Sequence, residues 1–191
     1  MSQAQICIEN DRLLIHGLLD RDLDGLAAMR GDPRIYRYEP AFLAERQGTS
    51  EEALRAIRNM DLRKDRQCIL GIYEKALPDE LVGLAEFYDY KPSGKVISIG
   101  YRLRPAYWGR GIGSCCVRAL LDHLQSHTEV ELVTAHVIPA NEASSRILCK
   151  NGFEHLLTKT EDWGYGEPTA ADVYTLDLPP ARDGIRPPNP L

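Results

Sequence analysis

The sequence predicts an α/β (α+β) fold, a single domain in which helices flank a mixed, mostly antiparallel sheet. Two observations predict it. Three strand-like runs with short connections stand in the middle of the chain, and helical and strand-like segments alternate after them. With 191 residues, the chain is long enough for one sizeable core and too short for two ordinary domains.

The first third of the chain combines short strand-like runs with two helices. Apolar runs at 7–8 and 13–18 predict two short strands. A segment with an apolar helical stripe follows, and Asp20 or Asp22 is placed to cap its N-terminus. The sequence TSEE at 49–52 matches a capping box, which predicts that a second helix begins there.

The remaining elements form a meander followed by alternating helices and strands. The predicted elements are strands at 67–73, 80–88 and 96–104, a helix at 111–126, a strand at 132–138, a helix at 141–151, and strands at 153–158 and 172–178. The connections between the first three of these strands are too short for crossovers, so the three strands are predicted to pair antiparallel. Gly152 is suited to end the second helix in a left-handed conformation.

The composition excludes several classes of protein. The formal net charge is −5 and the isoelectric point is about 5.6, so a broad basic surface for nucleic acid is not expected. No apolar run approaches the roughly 18 residues of a membrane span. The N-terminus lacks the basic-then-apolar order of a signal peptide. We therefore expect a cytoplasmic protein without nucleic-acid or membrane partners.

The cysteines and histidines do not form a disulfide or metal-binding pattern. The five cysteines lie in apolar runs without a CxxC motif, which predicts buried small hydrophobic side chains and no metal site. His123 and His127 are four residues apart, and we interpret them as part of a solvated helix face. Residues 179–191 hold five of the twelve prolines and are predicted to form a disordered tail after a domain at 1–178.

The segment at 98–116, SIGYRLRPAYWGRGIGSCC, carries the main functional signal. A strand ends in it, and a glycine-rich turn leads into an amphipathic helix. Gly109, Gly111 and Gly113 lack a Cβ atom, so the chain can adopt positive φ there and approach a ligand closely. The first amides of the helix have no intrahelical partner, which makes the N-terminus of this helix suited to a phosphate group.

Several phosphate ligands are compatible with this turn. Arg104 and Arg110 add local positive charge. A Walker loop is excluded because no lysine follows Gly113, and the GxGxG spacing after a meander differs from the GxGxxG of a dinucleotide fingerprint. On the local sequence alone, a nucleotide site for ATP or NAD stays open, and so does a plain glycine turn that only joins strand to helix.

A second segment, AHVIPANEASSRILCKNGF at 135–153, lies about 30 residues further on. Together the two segments resemble the general N-acetyltransferase (GNAT) superfamily. The sequences IGYRLRPAYWGRGIG and NEASSRILCKNGF are most similar to the branch that acetylates ribosomal-protein N-termini and assorted small amines. The resemblance covers roughly residues 10–178 and is specific over 98–153. It implies an acetyltransferase domain whose sheet splays between its fourth and fifth strands to admit acetyl-CoA, the acyl donor.

The resemblance also implies which residues bind the donor. These are Arg102, Leu103 and Arg104 through backbone groups that pair with the pantetheine arm, Arg110, Gly111, Ile112, Gly113, Ser114 and Cys115 around the pyrophosphate, and Asn141 and Ser144 on the following helix. A backbone amide at the end of the same strand would also face the oxyanion of the tetrahedral intermediate. Asn141 fits a helix N-cap equally well. Trp108 stands where the family's glycine loop carries Gln or Arg.

The catalytic groups are less clearly marked. Many family members place a Tyr seven residues after that Asn to protonate the leaving thiolate, and this chain has Leu148 there. Ser144 is the candidate acid in its place, or else a solvent-facing serine. The candidate bases are His136 and Glu86, because the attacking amine must be uncharged. Alternatively, His136 is a half-buried histidine of the sheet and Glu86 is a solvated carboxylate on a strand. A mechanism without a base is a further alternative, since the family's Glu before IGY is Ser98 here.

The acceptor is the least determined part of the prediction. The resemblance implies that it lies between Tyr36, Arg37 and Tyr38 on one side and residues 161–165 on the other. Glu161 and Asp162 there would attract a cationic amine, or belong to a solvated loop. We expect a primary amine, either a protein N-terminus or a small molecule, and a homodimer is a candidate assembly. The alternative is a non-catalytic acyl-CoA-binding or regulatory module with the same fold.

Overall fold

A computed structural model describes residues 6–38, 48–162 and 167–179. Within these ranges the strands are β1 (Cys7–Glu9), β2 (Leu13–His16), β3 (Cys68–Glu74), β4 (Gly83–Lys91), β5 (Val96–Leu103), β6 (Leu132–Val137), β7 (Glu154–Glu161) and β8 (Thr169–Asp177). They form one sheet in the order β1-β2-β3-β4-β5-β6-β8-β7. Apart from Pro179, the predicted tail lies outside the described residues.

Five α-helices are described in the same ranges. They are α1 (Leu23–Gly31), α2 (Ser50–Asn59), α3 (Leu62–Asp65), α4 (Ile112–His127) and α5 (Glu142–Lys150). All but α3 correspond to predicted helices. The short α3 begins after Asp61, whose carboxylate accepts hydrogen bonds from the amides of Arg63 and Lys64.

The caps of the first two helices differ from each other. The predicted capping box of α2 is confirmed, because Thr49 Oγ1 accepts from the Glu52 amide (3.2 Å) and the Glu52 carboxylate accepts from the Thr49 amide (2.8 Å). A side-chain cap by an aspartate is not observed at α1. The buried carboxylate of Asp22 instead accepts from the Leu19 amide and the Tyr73 hydroxyl, both at 2.6 Å.

The sheet is antiparallel except at one pair of strands. β5 and β6 run parallel, and their register covers only Val96↔Leu132, Ile97↔Val133 and Ser98↔Thr134. Beyond Ser98 the strands separate, which confirms the predicted splay of a mixed, mostly antiparallel sheet. The splayed strands are the fifth and sixth of this chain, whereas the family resemblance implied the fourth and fifth. The numbers differ by one because the N-terminal hairpin of this chain contributes two separate strands, β1 and β2.

Two hydrophobic clusters cover the two faces of the sheet. On the first, α1 and α2 contribute side chains such as Leu26 and Ile57, which pack on Leu84 of β4. On the second, α4 contributes Val117, which belongs to the same cluster as Phe87 of β4. These surfaces are called the α1–α2 face and the α4 face below. They hold the sheet rigidly on either side of the opening between β5 and β6.

Two minor predictions are wrong. Cys68 and Cys116 are buried, but Cys7 and Cys149 are exposed. His123 does not belong to a solvated face, because its ring stacks near Phe87 with 6.4 Å between ring centroids and burial lowers its pKa to about 4. Among the described helices, none is long and apolar enough to cross a membrane.

Candidate active site

The opening between β5 and β6 leads into a cleft of about 490 Å³. Its walls are the end of β5, the glycine turn, the first turn of α4, one side of α5, and the segment after α1. Eight predicted donor-binding residues line it: Arg102, Leu103, Gly111, Ile112, Gly113, Ser114, Asn141 and Ser144. The structure therefore brings the two motifs identified in the sequence together around a single cavity.

The N-terminus of α4 opens into this cleft without a protein cap. Gly111 is the N-cap residue with a φ of +77°, no side chain caps the helix, and its first turn contains no acidic residue. The first amide bonded within the helix is that of Cys115, which donates to the Gly111 carbonyl (3.1 Å). The amides before it, those of Ile112, Gly113 and Ser114, remain directed out of the helix end. These donors, at the positive end of a 16-residue helix, fit a diphosphate.

The three glycines of the turn have different roles. Gly109 and Gly111 have φ values of +73° and +77°, which residues with a side chain rarely adopt. Gly113 lies inside α4 with ordinary helical geometry. A Cβ atom on it would lie 2.8 Å from the ring of Tyr101 and 3.1 Å from Ile147. Gly113 is therefore required for close packing of α4 on β5, and not for an unusual φ.

The register of β5 shows which backbone groups face the cleft. The Arg104 amide donates to the Val82 carbonyl (3.0 Å), and Arg102 is paired with Leu84 of β4. Backbone groups of alternate residues in a strand point to opposite sides. The prediction for the backbone of Arg102 and Arg104 is therefore wrong, because their groups belong to the β4 ladder. The residues whose backbone groups point toward the opening are Leu103 and Tyr101.

Three other predicted residues lie outside the described lining of the cleft. The Arg104 guanidinium contacts Glu80 (3.1 Å) and the Leu81 carbonyl (3.0 Å). The Arg110 guanidinium lies over the ring of Tyr107, 5.2 Å from its centroid. Cys115 turns toward the β1–β2 hairpin, and its amide already has an intrahelical acceptor.

Trp108 lines the cleft and closes part of the edge of β5. Its indole Nε1 donates to the Leu103 carbonyl (2.8 Å), while the side chain stays half exposed. The aromatic residue at the position where the family's loop has Gln or Arg thus contacts the strand rather than standing free in solvent. No sequence pattern predicts this contact.

Helix α5 presents two predicted residues to the cleft. Asn141 is its N-cap, with Oδ1 accepting from the Ser144 amide (3.3 Å). Asn141 Nδ2 and Ser144 Oγ have no hydrogen-bond partner among the described residues, and both residues line the cleft. At the other end of α5, Asn151 Nδ2 donates to Ser114 Oγ (3.1 Å) and ties this helix to the first turn of α4.

The candidate bases lie on the α1–α2 face. Glu86 is not a solvated carboxylate, because its Oε1 accepts from Arg102 (2.6 Å) and both side chains are buried. The imidazole of His136 is largely buried, and its Nδ1 lies 2.9 Å from a Glu161 oxygen. Neither Glu86 nor His136 is among the described residues that line the cleft.

The acceptor side is described only in part. Tyr38 lines the cleft with its neighbours Arg34 and Ile35, and Tyr36 is buried in the core of the α1–α2 face. Arg37 lies over the Tyr38 ring. Glu161 is not free to attract a cationic amine, since His136 and Lys159 both contact its carboxylate. Residues 163–165 lie outside the described residues.

A family model for the acetyltransferase (GNAT) domain matches residues 12–154, about three quarters of the chain. The chain therefore belongs to the GNAT acetyltransferase family: it is an N-acetyltransferase with acetyl-CoA as its acyl donor. This confirms the family resemblance identified in the sequence.

Individual relatives agree with the family assignment. The chain is 25% identical to the uncharacterized N-acetyltransferase YoaA of Bacillus subtilis (strain 168), over 90% of this chain and 97% of that protein. A ribosomal L7/L12 alpha-N-protein acetyltransferase in complex with coenzyme A has the same fold, with a TM-score of 0.75 at 16% identity over 91% of this chain and 98% of that one. The spermidine N-acetyltransferase from Vibrio cholerae, in complex with coenzyme A and spermine, gives a TM-score of 0.73 at 15% identity. The match covers 88% of this chain and 97% of that one.

Proposed function

We propose that this N-acetyltransferase acetylates a primary amine, either a protein N-terminus or a small molecule, by direct attack of the amine nitrogen on the thioester of acetyl-CoA. One observation carries the proposal. A single cleft runs from the uncapped N-terminus of α4 to Arg34, Ile35 and Tyr38, so one cavity can hold donor and acceptor together. The solved neighbours support this acceptor class, because one is named for a ribosomal protein and another for spermidine.

The donor is held by the chain's own backbone. The amides at the start of α4 bind the diphosphate, and the Leu103 amide and the backbone groups of Tyr101, which face the opening, pair with the pantetheine arm. A cleft-facing amide of β5 also stabilises the oxyanion that forms when the nitrogen attacks the carbonyl carbon. Asn141 Nδ2 is available to the same arm, while Oδ1 of the same side chain caps α5.

The acceptor nitrogen loses two protons and the thiolate of CoA gains one. One proton leaves the ammonium before attack, and the other leaves the nitrogen of the tetrahedral intermediate as it collapses to the amide and the carbon–sulfur bond breaks. We assign the proton that the thiolate gains to Ser144 Oγ, which lines the cleft and makes no hydrogen bond among the described residues. Water then returns a proton to the serine. His136, oriented by Glu161, is the candidate that accepts the ammonium proton through water, and the second nitrogen proton leaves to solvent. Glu86 is a weaker candidate, because the Arg102 guanidinium already neutralises its charge.

A panel of amines tests the acceptor assignment. Purified protein is incubated with acetyl-CoA and either short peptides with free N-termini, the same peptides with blocked N-termini, or polyamines, and products are identified by mass spectrometry. Acetylation of a free-amine series, with no product from the blocked peptides, is the expected result. Binding of CoA without acetylation of any amine would overturn the amine assignment.

The homodimer stays a prediction.

A further inference from the structure

The turn between β1 and β2 reaches the start of α4 from nearly 100 residues earlier in the chain. Arg12, in this turn, donates from Nη1 to the Arg110 carbonyl (2.8 Å), the residue just before the helix N-cap. Asn10 reaches the first helical turn, with Nδ2 3.3 Å from Cys115 Sγ. One turn thus contacts both the glycine turn, through Arg12, and the first turn of α4, through Asn10.

The β1–β2 turn is itself rigidly built. Asn10 Oδ1 accepts from the amides of Arg12 (2.9 Å) and Leu13 (2.8 Å), which fixes the backbone of the turn. The Arg12 guanidinium is anchored by Nε and Nη2, which donate to Glu74 Oε1 at 2.9 and 2.6 Å. Glu74 stands at the end of β3 and is largely buried. The guanidinium therefore approaches Arg110 from a fixed position.

The contact with the Arg110 carbonyl determines where the next amide points. The carbonyl of residue 110 and the N–H of Gly111 belong to one trans peptide and point in opposite directions. When Arg12 holds the carbonyl on the hairpin side, the Gly111 N–H is directed to the other side, and Gly111 lines the cleft. The positive φ of Gly111 then carries the chain into the exposed amides of α4.

We propose that Arg12 is a positioning residue for donor binding, which orients the amides that bind the diphosphate of CoA without touching the donor. The proposal rests on the proposed donor site at the N-terminus of α4. It predicts that loss of Arg12 weakens the binding of donors with a diphosphate and leaves the remainder of the donor site intact.

The variant Arg12→Met removes all three hydrogen bonds, and Arg12→Lys keeps the charge without the planar fork. The matched control is Arg21→Met. Arg21 also joins a carboxylate (Asp79, 2.9 Å) to a backbone carbonyl (Pro78, 3.4 Å), and it is not among the described residues that line the cleft. Binding of CoA is measured by calorimetry, and kcat/KM is measured with acetyl-CoA and with S-acetylpantetheine, which lacks the diphosphate.

We expect the Kd for CoA to rise by about tenfold or more in Arg12→Met, less in Arg12→Lys, and not in Arg21→Met. The preference for acetyl-CoA over S-acetylpantetheine should fall in Arg12→Met, fall less in Arg12→Lys, and stay unchanged in Arg21→Met. An equal loss with both donors, or an unchanged Kd, would overturn the positioning role. If wild-type protein failed to bind CoA, the donor site itself would be wrong; if it bound CoA but acetylated no amine, the calorimetric comparison would still decide the role of Arg12.

Discussion

The carboxylate of Glu86 on β4 and the guanidinium of Arg102 on β5 form an ion pair, 2.6 Å apart, in which the side chains are only 7% and 5% exposed. The pair lies on the α1–α2 face, beside the point where β5 leaves β6. Arg102 also lines the cleft. A buried charge of each sign therefore stands at the base of the proposed active site, and each depends on the other.

Glu86→Gln should destabilise the protein, because it removes the charge of a buried carboxylate that the buried Arg102 guanidinium contacts at 2.6 Å. We expect the free energy of unfolding in urea to fall by about 3 kcal/mol. The double variant Glu86→Leu with Arg102→Met, which removes both charges, should recover most of that loss. If Glu86→Gln were as stable as the wild type, the ion pair would be solvated in solution and the prediction would be wrong.

Gly111→Val should abolish the stabilisation of the protein by acetyl-CoA, because a β-branched residue cannot adopt a φ of +77° and the exposed amides of α4 would be lost from their positions. Gly111→Asn is the matched variant, since asparagine tolerates the left-handed region. Thermal unfolding with and without acetyl-CoA measures the effect. Equal ligand-induced shifts in Gly111→Val and wild type would contradict a diphosphate site at this turn.

Ser144→Ala should lower kcat more than it raises the KM for acetyl-CoA, because the Ser144 hydroxyl is assigned to protonation of the leaving thiolate. A loss of roughly 10²-fold is expected for removal of a general acid. Ser145→Ala, one residue further along α5 and not among the described cleft residues, is the control. Steady-state kinetics that show no change in Ser144→Ala would remove the serine from the mechanism.

The buried ring of His123 should make stability depend on pH. Burial lowers its pKa to about 4 from an ordinary value of 6.5, so the unfolded chain binds a proton that the folded chain excludes. Above pH 6.5 the ring is neutral in both states and costs no stability. As the pH falls from 6.5 toward 4, the free energy of unfolding decreases by up to about 1.4 kcal/mol per pH unit. Urea unfolding of His123→Phe should show a shallower pH slope than the wild type. Identical slopes would contradict this assignment.

The features that could be predicted from the sequence are those set by neighbouring residues. The capping box at Thr49 and the turn before α4 each depend on a few consecutive residues, so the sequence alone predicts both. The helix at 141–151 is similar, because Asn141 is followed at the right spacing by the amide that it caps. The family resemblance then connected these segments to one fold.

The features that could not be predicted depend on how distant segments pair. The register of β5 against β4 decides that the backbone of Leu103, and not that of Arg102, faces the cleft, and a strand's sequence does not contain its register. The sequence leaves Glu86 either as a candidate base or as a solvated carboxylate, because its partner, Arg102, lies on another strand. No local pattern links Arg12 to Arg110, since their contact joins residues 98 positions apart.

A crystal structure of the protein grown with coenzyme A tests the central claim most directly. We predict that the diphosphate oxygens lie within hydrogen-bond distance of the amides of Ile112, Gly113 and Ser114, and that the pantetheine arm enters the opening between β5 and β6. Coenzyme bound elsewhere, with the start of α4 bare or filled by the chain's own side chains, would contradict it.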